Sequence, residues 1–139
     1  PMRVVVDTNV VVSAILRDRN PERAVLYLVG NPDCEWVAAE EILAEYREVL
    51  RRPKFALPAD LLEQWDVRFR TALVLWPAAA PVDFPRDPKD AKFIACALAS
   101  SADYLLTGDR DFEEAPAFRG VNVIGVSQFV ARFCAPPTS

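Results

Sequence analysis

Acidic residues stand just after two hydrophobic segments of this sequence, where a carboxylate could act on a bound substrate. Asp7 follows residues 4–6 directly, and Asp109 follows residues 104–106 after two further positions. An Asp at a strand-to-helix turn is also a favoured helix N-cap, so capping accounts for either residue taken singly. Two acids at corresponding positions are harder to explain by capping, and they favour a shared functional pocket.

Two further acids belong to predicted helices and lie close to their hydrophobic sides. At about 100° per residue, Asp90 falls about 40° from Ile94 on the helical wheel, inside the hydrophobic stripe. The alternative for Asp90 is a favourable interaction with the helix N-terminal dipole, which does not exclude a functional role. Glu45 is nearer the hydrophobic edge of its helix than Glu41 or Glu48. We therefore expect Glu45 to point inward and its two neighbours to be solvated.

Together these four acids favour a metal site built from carboxylates. Carboxylates gathered in one pocket repel one another, so they stay ionised only when a cation neutralises them. Hard oxygen ligands of this kind select Mg²⁺ or Mn²⁺ over zinc. A metal held in this way can activate water and stabilise the charge of an in-line phosphoryl displacement. Metal-assisted phosphodiester hydrolysis is therefore the simplest chemistry for this set.

The residue types that are scarce in the chain exclude other chemistry. The sequence has no histidine, which excludes a Ser-His-Asp or Cys-His nucleophile pair, an imidazole general base and a histidine metal ligand. Its three cysteines are widely spaced and form no C-x-x-C motif. This spacing argues against a zinc site or a disulfide framework and favours the reducing cytoplasm.

Short apolar strands alternate with helices along the chain, and these elements must position the acids. The predicted strands cover residues 3–6, 34–37, 73–76, 103–106 and 121–124. The predicted helices cover residues 9–16, 22–29, 40–51, 59–71, 88–100 and 127–133. The alternation is typical of a three-layer α/β/α fold with a mostly parallel sheet of about five strands. In such sheets the functional crevice lies at the carboxyl ends of the strands, where Asp7 and Asp109 stand.

Length and apolar content set the expected organisation. The 139 residues predict a single domain, residues 1–139, large enough to bury its own core. No hydrophobic stretch approaches the roughly 18 to 20 residues of a membrane span, so we expect no membrane association.

The net charge bears on the kind of substrate. The chain has 20 acidic and 16 basic residues, a formal charge of −4, which at first disfavours a nucleic-acid partner. Without Asp7, Glu45, Asp90 and Asp109 the acids and bases are equal in number. The rest of the surface is then neutral on balance and can carry a basic rim for a phosphodiester substrate, although each cation is more simply explained as solvated surface charge. The candidate rim cations are Arg47, Arg51, Arg52, Lys54, Lys89, Lys92 and Arg110.

At these residues the sequence resembles the PIN-domain family of metal-dependent ribonucleases, over residues 4–129. The matching segments are Val-Asp-Thr-Asn-Val at 6–10, Glu-Ile-Leu-Ala-Glu-Tyr at 41–46, Arg-Pro-Lys-Phe at 52–55, Asp-Pro-Lys-Asp at 87–90 and Thr-Gly-Asp-Arg-Asp-Phe at 107–112. Each segment alone is a weak signal, but their order along the chain makes the resemblance specific. The sequence is most similar to bacterial PIN proteins described as toxins of toxin–antitoxin pairs (VapC-like).

The resemblance implies a strand order of 3-2-1-4-5 and a role for each acid. The implied catalytic residues are Asp7, Glu45, Asp90 and Asp109. Asp7, Asp90 and Asp109 would bind Mg²⁺ or Mn²⁺, Asp111 could hold a second ion, and Glu45 would complete the pocket or orient the attacking water. Asn9 and Thr107 are the implied supporting polar residues. The expected protein is a cytoplasmic homodimer that cleaves single-stranded RNA, leaves a 5′-phosphate and a 3′-hydroxyl, and is inhibited by an antitoxin.

Other functions fit parts of the pattern. The chain could be a catalytically weak PIN scaffold that acts by binding an antitoxin, whose Arg or Lys enters the acidic pocket. A phosphoacceptor signalling domain would need a Lys near the last strands, and none is found there. A phosphatase with an Asp nucleophile normally carries a second Asp two residues later, where this chain has Asn9. Both phospho-chemistries are therefore disfavoured.

Overall fold

The strands of the protein form one sheet, seen in a computed structural model that describes residues 1–77, 91–108 and 120–134. The strands are β1 (Met2–Val6), β2 (Cys34–Ala39), β3 (Leu73–Trp76), β4 (Tyr104–Thr107) and β5 (Asn122–Gly125). They lie in the order β3-β2-β1-β4-β5, and every neighbouring pair of these described strands is parallel. The predicted parallel α/β sheet and its strand order are confirmed.

Helices cover the sheet and connect its strands. They are α1 (Thr8–Ile15), α2 (Arg19–Gly30), α3 (Glu40–Leu50), α4 (Ala59–Ala72), α5 (Ala91–Ser100) and α6 (Val126–Phe133), with a 3₁₀ helix at Pro53–Phe55. The strand order reverses between β3 and β4, so right-handed crossovers place helices on both faces of the sheet. This is the predicted three-layer α/β/α architecture. Among the described residues, no helix is long and apolar enough to cross a membrane.

The core is centred on β1 and on an aromatic cluster beside it. Val4, Val5 and Val6 are all fully buried, because a parallel strand covered on both faces has no solvent side. The rings of Trp36, Tyr46 and Phe69 pack with centroids 5.6 to 6.0 Å apart. This cluster holds α3 and α4 against the sheet.

Several element boundaries differ from the prediction by one to three residues. Helix α2 begins at Arg19 rather than at residue 22, because Pro21 lies in the first turn, where the missing N–H leaves no helical bond unmade. Strand β2 continues through Ala39 instead of ending at residue 37. The predicted start of α5 at residue 88 lies outside the described residues, as does the Pro- and Ala-rich connector before it.

Candidate active site

Asp7 stands at the carboxyl edge of the sheet, between β1 and α1. Its backbone N–H donates to the carbonyl of Leu106 on β4 at 2.9 Å, which continues the β1–β4 pairing past the last paired residue of β1. Asp7 is the N-cap of α1, and its Oδ1 accepts a bond from the Asn9 N–H at 3.4 Å. The capping interpretation of Asp7 is therefore correct. Capping uses a single carboxylate oxygen at long range, so it is compatible with a second role for the same group.

Glu45 lies on α3 and faces the same corner of the molecule. Its Oε2 accepts a bond from the hydroxyl of Thr8, and its Oε1 forms an ion pair with the Lys92 ammonium group. Glu45 is half-buried, whereas Glu41 and Glu48 on the same helix are exposed. The expected inward orientation of Glu45 is confirmed.

Tyr46 lies in the buried core and supports the end of β1. Its hydroxyl donates to the carbonyl of Val6 and accepts a bond from the indole N–H of Trp36 at 3.4 Å. Burial raises the pKa of this phenol far above its ordinary value, and the nearby negative charges of Asp7 and Glu45 raise that pKa further. The Tyr46 hydroxyl thus supports the end of β1 at Val6, the residue that precedes Asp7.

Replacing Tyr46 with Phe is expected to destabilise the fold by about 1–3 kcal/mol, because it leaves the Val6 carbonyl and the Trp36 indole N–H buried without a partner. Urea unfolding of the two proteins measures this difference in free energy. The matched control is Tyr104→Phe, whose hydroxyl accepts an exposed bond from Arg132 at 3.1 Å. This control should change the free energy of unfolding by no more than about 0.5 kcal/mol. Equal effects of the two variants would contradict a supporting role for the Tyr46 hydroxyl.

The two predicted supporting polar residues have different environments. Thr107 ends β4 and is buried, and its hydroxyl donates to the Gly108 carbonyl at 3.1 Å. Asn9 is exposed, and its contact with Asp7 is made by its backbone N–H. The structure therefore brings Thr107 to the carboxyl edge of the sheet beside β1, whereas the contact of Asn9 with Asp7 is made by the backbone rather than by the side chain.

The remaining predicted acids, Asp90, Asp109 and Asp111, lie outside the described residues. Within residues 1–77, 91–108 and 120–134, no group of three acidic, Cys or His side chains is arranged to hold a metal ion. The donor types still suit a hard cation, since Asp7 and Glu45 supply carboxylate oxygens at one corner. The buried Cys96 does not compete as a ligand or nucleophile, because burial raises the pKa of its thiol to about 11 and keeps it protonated at neutral pH.

Most of the described candidate rim cations are paired with acids. Arg47 and Arg51 both contact Asp66, at 3.5 and 2.6 Å, and Arg52 contacts Glu48 at 3.0 Å. Lys54 is exposed and lies 5.1 Å from the ring centroid of Phe55. Lys89 and Arg110 lie outside the described residues. These arginines are therefore engaged in surface ion pairs in this state.

Sequence reasoning missed three contacts at this corner. The sequence offers Thr8 and Tyr46 only as members of the segments 6–10 and 41–46, and Lys92 only as a candidate rim cation. A signal existed for Tyr46, since a buried phenol normally requires a hydrogen-bond partner. For Thr8 and Lys92 there was none, because their common partner Glu45 is remote from both in sequence.

A comparison with known protein families identifies the family of this chain. Residues 3–111 match the PIN domain, which is most of the chain. The chain belongs to the PIN-domain family. PIN domains are generally nucleases, so the resemblance inferred from the short motifs is confirmed at the level of the family.

Solved structures share the same fold. A chain in the crystal structure of VapBC2 from Rickettsia felis, bound to a DNA fragment from its promoter, superposes with a TM-score of 0.60. It is 17% identical to this PIN domain, and the match covers 89% of this chain and 98% of that one. At this identity the likeness establishes the common fold. No curated protein matches the chain significantly.

Proposed function

We propose that this PIN domain is a metal-dependent ribonuclease that hydrolyses phosphodiester bonds of single-stranded RNA. The observation that carries the proposal is that Glu45 contacts Thr8, the residue next to Asp7 at the end of β1, in a chain whose family consists generally of nucleases. No histidine is available for general-base or nucleophilic chemistry, so carboxylates and a cation are the plausible apparatus.

The residues that would hold Mg²⁺ or Mn²⁺ are Asp7, Asp90 and Asp109, with Asp111 available for a second ion. Two features of the described residues support this set. Thr107 ends β4 beside the end of β1, and Asp109 is two positions further along the chain. Lys92, near the start of α5, contacts Glu45, and Asp90 is two positions before it. The described residues nearest to Asp109 and Asp90 in the sequence therefore lie close to Asp7 and Glu45.

A divalent ion in such a site supplies Lewis-acid stabilisation of the charge on a phosphodiester. The protein's own groups then have separate tasks. Glu45, fixed by Thr8, would accept a hydrogen bond from the attacking water and orient it in line with the scissile bond. Water attack of this kind leaves a 5′-phosphate and a 3′-hydroxyl on the products.

The decisive test is cleavage of a labelled single-stranded RNA by the purified protein, with the same sequence as DNA for comparison. We expect cleavage with Mn²⁺ or Mg²⁺, complete loss of it with excess EDTA, and recovery when metal is restored. A phosphatase-sensitive 5′ end on the downstream product checks the direction of hydrolysis. Cleavage that persists in EDTA would contradict metal dependence, and cleavage of DNA alone would contradict the RNA assignment.

The biological setting that fits best is the toxin of a toxin–antitoxin pair. The resemblance to bacterial toxins and the structural likeness to a chain of VapBC2 support it. On this proposal the chain acts as a single domain over residues 1–139, forms a homodimer in the cytoplasm and is silenced by an antitoxin protein.

A catalytically weak scaffold that acts by binding its antitoxin is the alternative. Glu45 already accepts an ammonium group from Lys92, which shows that a cationic side chain fits against this carboxylate. A partner's Arg or Lys could make the same kind of contact. Protein that binds Mn²⁺ but cleaves no RNA would favour this alternative.

A further inference from the structure

Three helices meet at the Glu45 carboxylate, and each contributes one group. Glu45 itself belongs to α3, Thr8 from α1 donates to Oε2, and Lys92 from α5 forms an ion pair with Oε1. Each oxygen of the carboxylate therefore has its own partner. The positions of these partners fix the orientation of the carboxylate plane.

Lys92 is the least exposed cation among the ion pairs of the described residues. The Lys92 side chain is 25% exposed, whereas the cationic partners in the other pairs range from 34% for Arg3 to 83% for Arg17. Lower exposure reduces the screening of the Lys92 charge by water and salt. The ammonium group also lies 5.7 Å from the centroid of the Phe93 ring, a second contact that holds it in place.

We infer that Lys92 is a positioning residue that fixes Glu45 and weakens the binding of a divalent cation at this corner. Its positive charge neutralises Glu45 in the metal-free protein and repels an incoming cation. Lys92 thus lowers the metal affinity of the site while it keeps Glu45 in a defined orientation. This inference rests on the proposed metal-dependent function.

The first experiment measures Mn²⁺ affinity without RNA, by calorimetric titration of EDTA-stripped protein. Lys92→Met removes the charge and keeps an unbranched apolar stem of similar length. Its Mn²⁺ dissociation constant should fall by about threefold to tenfold, because the repulsion is removed. Lys92→Arg keeps the charge and should stay within about twofold of the wild type. The matched charge control is Arg70→Met on the exposed side of α4, which should also stay within about twofold.

The second experiment separates positioning from structural damage by measuring kcat and KM at saturating Mn²⁺. Lys92→Met should lower kcat by about fivefold to tenfold, because Glu45 loses one of its two holding contacts. Lys92→Arg should keep most of the wild-type kcat. Replacing a residue that merely stabilises the fold would lower activity without tightening Mn²⁺ binding. Tighter Mn²⁺ binding together with a lower kcat in Lys92→Met therefore identifies the positioning role.

The two experiments also distinguish failure of this inference from failure of the proposed function. Unchanged or weaker Mn²⁺ binding in Lys92→Met overturns the inference, whatever the activity of the wild type, and a wild type that binds no Mn²⁺ overturns it as well. If the wild type cleaves no RNA but Lys92→Met still binds Mn²⁺ more tightly, the inference that Lys92 weakens metal binding holds and the ribonuclease proposal fails.

Discussion

Replacing Asp7 with Asn is expected to lower metal-dependent RNA cleavage by roughly 10³-fold or more, because under the proposed function the substitution removes a charged metal ligand. The fold should be retained. Asn is as good an N-cap as Asp, so its side-chain oxygen can still accept the bond from the Asn9 N–H. Mn²⁺ affinity should fall together with the cleavage rate. The measurements are the single-turnover rate on labelled RNA and a Mn²⁺ titration of the RNA-free protein.

A closely matched control is Asp18→Asn. Asp18 is the N-cap of α2, is exposed and makes no side-chain capping bond. The variant therefore carries the same chemical change, the same change of net charge and the same helical position. Its cleavage rate and free energy of unfolding should stay close to wild type, the latter within about 0.5 kcal/mol. Undiminished cleavage in Asp7→Asn would contradict the proposed site.

Replacing Glu45 with Gln is expected to lower the cleavage rate by roughly 10²-fold, because under the proposed function the negative charge of Glu45 orients the attacking water and the amide lacks that charge. The substitution is nearly isosteric. The amide oxygen can still accept the bond from Thr8, but the ion pair with Lys92 is lost. We therefore expect a change in kcat far larger than any change in KM for RNA.

The control for this variant is Glu41→Gln, at the exposed start of the same helix. It removes an equal charge one turn away from Glu45. We expect kcat to stay within about twofold of the wild type, because a solvated surface charge at that distance is largely screened. Equal losses in the two variants would show that the general acidity of α3, rather than the Glu45 carboxylate, supports cleavage.

Much of the architecture could be predicted because local pattern and burial coincide here. The continuous Val run of β1 requires cover on both faces, and the alternation of such strands with helices leads to a parallel three-layer sheet. Asp7 was singled out because it follows a buried strand, and Glu45 because helical periodicity puts it at the apolar edge. Both lie where that reasoning expected. Boundaries such as the start of α2 were less certain, because Pro is tolerated in a first turn as well as before one.

By itself, the sequence determined the elements, the inward orientation of Glu45 and the absence of histidine chemistry, since these depend on residue type and local periodicity. Only the tertiary structure decided what surrounds Glu45. Thr8 is 37 positions from Glu45, and Lys92 lies on another helix, so their convergence depends on how α1, α3 and α5 pack. Periodicity indicates which face of a helix is buried, but it contains no information on which distant side chain that face meets. The sequence alone therefore identifies Lys92 only as a surface cation. The packing of α5 and α3 brings its ammonium group to the Glu45 carboxylate.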